Sequence, residues 1–430
     1  MKEYVFTMDE LKKLRIINRV LDKSIPQKEA ALLLGISDRQ VRNILVKVRL
    51  HGPDGVKHQN KFHQPIQTHS DESKRKIIEL KLSYNYSASN FLHFQELLEE
   101  RESIFISYSA LHGILTEHGI KSPRKHRKKQ NHPNRKRKDH YGELIQTDAT
   151  PFEWFEDGTV YSLHGYIDDA TGEVLGLYMC KSECLLGYLE ITRQMLENVG
   201  SPQAIYSDKY SVFFPTSSSK NKLSIDEELE GKEEPVTQYH RILDELGVEL
   251  RAASTSQAKG RVERLWETLQ GRLVTEFRIH GITTPEQANE FFPEYIKCFN
   301  KKFSVKPLSD KSLFVEVPTY LNLDLLLTNR LTRRVNCSGV FSINNKKFQI
   351  LDNDIIASAT IKIHISHQIG IVAVYKDRCY RVIPLDNLPH YNSTKDLEKA
   401  YQQSSIEILA YAIAFCSVDA KLNNPTLLSY

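Results

Sequence analysis

Residues 121–140, KSPRKHRKKQNHPNRKRKDH, hold ten Lys and Arg, one acid and two prolines. Positive charges at that density repel each other, and the run holds no Val, Ile, Leu, Met, Phe, Tyr or Trp to bury. It therefore reads as an extended linker. Whatever folds on either side of it must bury its own core. A length of 430 residues agrees, since it corresponds to roughly three domains. Charge divides at the same place. Residues 1–140 carry 28 Lys and Arg against 16 Asp and Glu, and the remainder carries 30 against 38. A basic front on a mildly acidic body suits a chain that grips polyphosphate with one part and does other work with the rest.

Ahead of the linker the pattern is helical. Leu11, Leu14, Ile17, Val20 and Leu21 form one amphipathic stripe, which ends at Ser24, Ile25 and Pro26. A short helix from Gln27 to Leu34 follows, then Gly35 as a left-handed cap, Ile36 turned inward, and Ser37 as N-cap of a third helix carrying Val41, Ile44, Leu45 and Val48. Helix, glycine turn, helix is the helix-turn-helix pattern over residues 1–52, and its last helix would present Arg39, Gln40, Asn43 and Lys47 to DNA. Residues 70–120 give three further helical segments of nearly balanced charge, suited equally to a second DNA-binding module or to a scaffold. In the linker, Arg124, Lys125, Arg127, Lys128, Lys129, Arg135, Lys136, Arg137 and Lys138 are candidates for tracking a phosphate backbone.

After the linker, strands and helices alternate over residues 141–300. Strands are expected over Glu143–Ala149, Ser162–Asp168 and Val174–Lys181, a helix over Leu185–Asn198, and a buried strand over Ala204–Asp208. Residues 215–235 are polar and mostly acidic, a surface insertion. A helix over Thr237–Leu246, a strand over Val248–Ala253 and one long helix from Gly260 to about His280 complete the set. In the long helix Val262, Leu265, Trp266, Leu269, Leu273 and Phe277 form the core face, with Glu263 beside it on the first turn. Alternation puts Leu144, Gln146 and Asp148 on one strand face, and Asp208 ends a strand running into a loop. Three carboxylates converging from two strands and a helix would repel each other unless divalent cations neutralised them. Glu267 shares the face of Glu263 and competes for the third position; Glu263, nearer the loop, is preferred. Asp168 and Asp169 read as turn formers, and Lys259 and Arg261 as candidates for DNA phosphates.

The stretches GELIQTDATPFEWF, YIDDATGEVLGLYM, AIYSDKYSVF and SQAKGRVERLWETLQGRL resemble the catalytic core of the DDE transposase and integrase superfamily, most closely the ISNCY group of bacterial insertion-sequence transposases. The resemblance covers about residues 8–310 and implies a ribonuclease H-like core. It places the metal-binding and catalytic carboxylates on Asp148, Asp208 and Glu263, separated by 59 and then 54 residues. The second gap exceeds the compact retroviral pattern, and the acidic insertion supplies the excess. It further implies two Mg²⁺ ions per site, with Mn²⁺ as a substitute, DNA ends and target DNA as partners, a homo-oligomer on DNA, and DNA cleavage with strand transfer as the activity. An inactivated DNA-binding regulator and a metal-dependent nuclease are the competing functions.

Beyond the core, residues 331–390 alternate as a small antiparallel barrel, with a turn near Asn344 to Lys346, and residues 391–430 hold one helix and a tail. Lys346, Lys347, Arg378 and Arg381 could serve DNA or scaffold alike. The six cysteines form no zinc-like spacing, so reduced thiols and no zinc are expected. MKEYVFTMDE lacks an apolar signal core, and no apolar run approaches the ~18 residues of a membrane span. A soluble, cytoplasmic, nucleoid-associated protein of bacteria is the expectation.

Overall fold

The structure, a computed structural model, describes residues 6–57, 69–123, 135–215, 236–253, 259–351, 358–385 and 394–417. Arg124, Lys125, Arg127, Lys128 and Lys129, nearly all of the acidic insertion and the last residues of the tail lie outside the described residues. The chain divides into two units, Met1–Ile77 and Ile78–Tyr430.

The first unit contains helices α1 (Met8–Leu21), α2 (Gln27–Leu34) and α3 (Asp38–His51). Local chemistry sets their ends. Thr7 and Glu10 form a capping box at α1, and Ser37 and Gln40 form another at α3. Gly35 closes α2 with φ 64°, a left-handed turn in which a side chain would be strained. Ile17, Ala30, Val41 and Leu45 are buried between the three helices, as the stripes require.

Helix α4 (Asp71–Leu82) crosses the boundary, and α5 (Tyr84–Ser87), α6 (Phe91–Glu102) and α7 (Tyr108–Glu117) follow. The second unit then builds a five-stranded sheet from β1 (Ile145–Phe152), β2 (Tyr161–Asp168), β3 (Val174–Cys180), β4 (Ala204–Ser207) and β5 (Glu249–Ala252). Its strand order is β3-β2-β1-β4-β5. The first three strands are antiparallel, while β4 and β5 join parallel to β1 and to each other. This is the ribonuclease H-like sheet. Helix α8 (Leu185–Asn198), the crossover before β4, is buried along most of its length, and α9 (Gln238–Glu245) precedes β5.

Where one long helix is expected, the chain forms two, α10 (Gly260–Gln270) and α11 (Leu273–His280). The apolar stripe nevertheless runs through both and is buried. The break lies at Gly271 and Arg272, and a tertiary contact accounts for it. The Arg272 guanidinium is almost fully buried, donates to both carboxylate oxygens of Glu96 on α6 at 2.6 and 3.0 Å, and lies 4.7 Å over the Phe303 ring. Nearby, His93 of α6 meets Glu276 of α11 at 2.9 Å, and Arg278 binds the Tyr84 carbonyl, Ser87 and Glu156. The second helical segment is thus docked on α10 and α11 by these charged contacts.

Helix α12 (Pro285–Phe303) packs on the sheet, with Asn289 and Asn300 bonding the edge of β3 through its backbone at Met179 and Val174. A short helix α13 (Leu323–Leu326) leads to a six-stranded antiparallel sheet of β6 (Asn329–Arg334), β7 (Val340–Ile343), β8 (Lys346–Ile350), β9 (Thr360–Ser366), β10 (Gly370–Tyr375) and β11 (Arg378–Pro384). Its edge strands β6 and β7 approach each other, and Arg333 donates across the gap to the Ser342 carbonyl at 3.0 Å, leaving a nearly closed barrel. The expected turn is present, with Asn344 and Asn345 both at positive φ. Helix α14 (Thr394–Cys416) covers the barrel with Ile408, Ala412 and Phe415, and Cys180, Cys184 and Leu186 of the sheet domain join the same core. Truncating Glu96 to Ala should leave Arg272 buried and unpaired and cost about 3 kcal/mol or more, read as a lower urea midpoint of the full chain; Arg272→Met added to Glu96→Ala should restore part of it.

Candidate active site

Pairing in the sheet decides where the first two acids meet. Gln146 of β1 lies opposite Tyr206 of β4, and the parallel ladder stops there because β4 ends at Ser207. Two residues further along each chain stand Asp148 and Asp208, so in-register parallel strands carry both carboxylates to one rim of the sheet. Lys259, at the head of α10, lies between them. Its Nζ donates to Asp148 Oδ1 at 2.8 Å and stands 3.7 Å from Asp208 Oδ2. The other oxygen of each acid has its own donor: the Trp266 indole Nε1 reaches Asp148 Oδ2 at 3.3 Å, and the Tyr210 backbone N–H reaches Asp208 Oδ1 at 3.2 Å.

Trp266 can reach that position because the residue facing Asp148 across β1 and β2 is Gly165. A Cβ there would lie 2.7 Å from the indole ring, so any side chain at 165 would drive the indole away. No sequence pattern singled out this glycine.

The head of α10 is pinned to the sheet by a buried hub. Asp169 is fully buried and accepts from Gln146 Nε2 at 2.7 Å, from Arg261 Nε at 2.9 Å, from the Lys138 backbone N–H at 2.9 Å and from the Arg135 guanidinium. Gln146 in turn accepts the Val262 N–H at 3.2 Å. Strand, helix start and the end of the basic linker therefore share one carboxylate. Asp168 is the turn former expected, accepting from Thr171 and from the Gly142 N–H. Asp169 is more than that.

Of the expected site residues, Asp148 and Asp208 are brought together, whereas Glu263 stands exposed on the first turn of α10. Among the described residues no three His, Cys, Asp or Glu side chains are gathered closely enough to hold a metal. Glu267 is likewise exposed. Lys259 and Arg261 are engaged with Asp148 and Asp169, Arg137 donates to the Ala170 carbonyl at 3.1 Å, Lys138 pairs with Glu143 at 2.9 Å, and Lys136 is exposed. On α3, Arg39, Gln40 and Asn43 are exposed and Lys47 is half-buried; the Gln40 side-chain oxygen accepts the Ser37 N–H of the capping box.

Burial raises the Asp148 carboxyl above its usual range, opposed by the Lys259 ammonium. A further acid, Glu183 between β3 and α8, belongs to the same electrostatic neighbourhood. Burial, together with the charges of Asp208 and Asp148, pushes it up to about 7, while the Tyr188 hydroxyl donating at 2.5 Å pulls the other way. Beneath them His164 is buried and held neutral, its pKa lowered to about 4, with contacts to the Tyr178 carbonyl and the Cys184 N–H. The only sequence signal for Glu183 was its place just ahead of a helix, which is too common to be informative.

Comparison with known proteins now decides the family. The chain is 35% identical over 364 residues to the transposase for insertion sequence IS1202 of Streptococcus pneumoniae, covering 77% of this chain and 76% of the relative. It is 31% identical over 350 residues to the putative transposase y4bF of Sinorhizobium fredii (strain NBRC 101917 / NGR234), covering 80% and 74%. The chain belongs to the transposase family. The helix-turn-helix domain family matches residues 12–61 of this transposase. Among solved structures, the simian T-cell lymphotropic virus intasome in complex with PP2A regulatory subunit B56 gamma aligns with a TM-score of 0.31 at 14% identity, over 72% of this chain and 96% of that one. The HTLV-2 integrase catalytic core domain in complex with magnesium aligns with a TM-score of 0.25 at 15% identity, over 35% and 82%. The core assignment rests on the strand order above. Among the described residues no helix is long and apolar enough to cross a membrane.

Because the folded protein favours the neutral Glu183 carboxyl, the stability this group adds is complete below its ordinary 4.5 and is lost as pH rises through about 7. In metal-free buffer the wild type should therefore lose unfolding midpoint relative to Glu183→Gln across that interval, with a constant difference on either side of it.

Proposed function

We propose that this transposase, of the ISNCY group, binds the ends of its insertion sequence and carries out Mg²⁺-dependent cleavage and strand transfer with Asp148, Asp208 and Glu263. The observation that carries the reading is the register of β1 and β4, which sets two carboxylates around one cation position. That position already holds a cation, the Lys259 ammonium, and its donors are hard carboxylate oxygens, the donor type magnesium prefers. Bound there, magnesium, or manganese in its place, supplies charge neutralisation to the phosphate and lowers the pKa of bound water.

The residues of the chain do the positioning. Asp148 and Asp208 would hold the cations from the sheet rim, and Glu263, which this structure leaves exposed on the first turn of α10, would have to turn in toward them to complete the set, while the Asp169 hub holds the helix head against β1. Water first attacks the phosphodiester at each element end and frees a 3′-hydroxyl; that hydroxyl then attacks target DNA in line, so no protein nucleophile is consumed. Most of the rate would come from alignment and charge.

The helix-turn-helix supplies end recognition, with Arg39, Gln40 and Asn43 at base edges and Lys47 at phosphate. Arg124, Lys125, Arg127, Lys128, Lys129, Arg135, Lys136, Arg137 and Lys138 follow the backbone with salt-dependent affinity, joined by Lys259 and Arg261 when those are released from their acids. Joining two ends requires more than one copy, so the active form is a homo-oligomer on DNA.

The decisive assay mixes purified protein, labelled element-end DNA, a plasmid and Mg²⁺. Joined product supports the proposal, cleavage alone indicates a nuclease, and a gel shift alone indicates a regulator. Asp148→Asn should reduce joining by about a thousandfold or more, the scale of losing one group that stabilises transition-state charge, while the gel shift of end DNA persists; full joining by that variant would sink the site assignment.

A further inference from the structure

Lys259 presents a problem that the proposed chemistry does not address. Its ammonium contacts one oxygen of Asp148 at 2.8 Å and stands 3.7 Å from one oxygen of Asp208, while the second oxygens are taken by the Trp266 indole and the Tyr210 N–H. The Lys259 side chain is only 9% exposed, so this is a seated group and no surface pairing. Magnesium binds carboxylate oxygen at about 2.0–2.1 Å. An ion on either of the facing oxygens would sit within a few ångströms of Nζ, where two like charges in a poorly solvated site repel strongly. Ammonium and metal therefore compete for these oxygens.

We propose that Lys259 is a built-in placeholder cation: it holds Asp148 and Asp208 together while no metal is bound, and the arriving divalent ion displaces it. The inference rests on reading those two aspartates as cation-binding acids. It explains how two acids stay adjacent at the sheet rim before metal arrives. It also assigns Lys259 two successive partners. A lysine head on a flexible four-carbon stem can swing without moving its backbone, so the freed charge at the start of α10 becomes available to a DNA phosphate. Metal loading would then convert an internally neutralised site into one that attracts its substrate.

The test measures Mn²⁺ binding to full-length wild type, Lys259→Met, Lys259→Gln and Asp148→Asn by calorimetry, without DNA. Removing the competitor should tighten Mn²⁺ about tenfold in both Lys259 variants, equivalent to about 1.4 kcal/mol, and Asp148→Asn should abolish the site. A second measurement needs no variant: acylation of Lys259 followed by mass spectrometry should rise severalfold when Mg²⁺ is added to wild type, because the amine leaves its buried seat. Asp148-dependent binding that is unchanged or weaker in the Lys259 variants, or Lys259 labelling that Mg²⁺ at saturation does not alter, overturns the placeholder and leaves the metal-binding reading standing. No Asp148-dependent Mn²⁺ binding in any variant overturns both.

Discussion

Two like charges held side by side at the end of a sheet are the constraint around which the α/β part of this protein is arranged. The parallel register of β1 and β4 brings Asp148 and Asp208 into proximity, and a cation among the oxygens offsets their mutual repulsion. Lys259 is that cation in the structure. Its position depends on the start of α10, and that start is fixed by Gln146 and Asp169. Displace the helix head by one residue and both the counter-charge and the Trp266 indole move off Asp148.

Asp169 extends this dependence to the linker. A fully buried carboxylate with several donors is far costlier to disrupt than a surface ion pair, because any donor removed leaves charge without solvent. By bonding Arg135, Lys138, Arg261 and Gln146 at once, it ties the last residues of the basic segment to the same frame that positions the acids. The end of that segment is thus fixed relative to Asp148 and Asp208. The docking of α6 through Arg272 and His93 has the same character toward the other end of the α10–α11 pair. The α10–α11 break allows Arg272 to face Glu96.

Much of this was legible in the residues because it depends on local rules. The helix-turn-helix follows from Gly35, Ser37 and the periodic aliphatics, and the structure shows the left-handed cap and the capping box at those positions. Strand alternation and turn residues mark the sheet, and the Asn344–Asn345 turn has the positive φ values it requires. The apolar stripe of α10 and α11 is buried throughout. What was not legible depends on partners distant in the chain. Gly165 acquires meaning only opposite Trp266, Glu183 only beside Asp148 and Asp208, and the helix break only opposite Glu96.

The sequence by itself determined the division into a basic helical front, an α/β middle and a β-rich end, since periodicity, capping and charge density are properties of neighbouring residues; the family was legible only through the resemblance of its motifs. Only the tertiary structure decided which charges meet. Lys259, Arg261, Arg135 and Lys138 read alike in the sequence as cations awaiting phosphate. In the fold the first bonds the aspartate pair, the next two bond Asp169, and the last pairs with Glu143. The reason is that Coulomb energy depends on distance and burial in space, and strand register and helix packing set both.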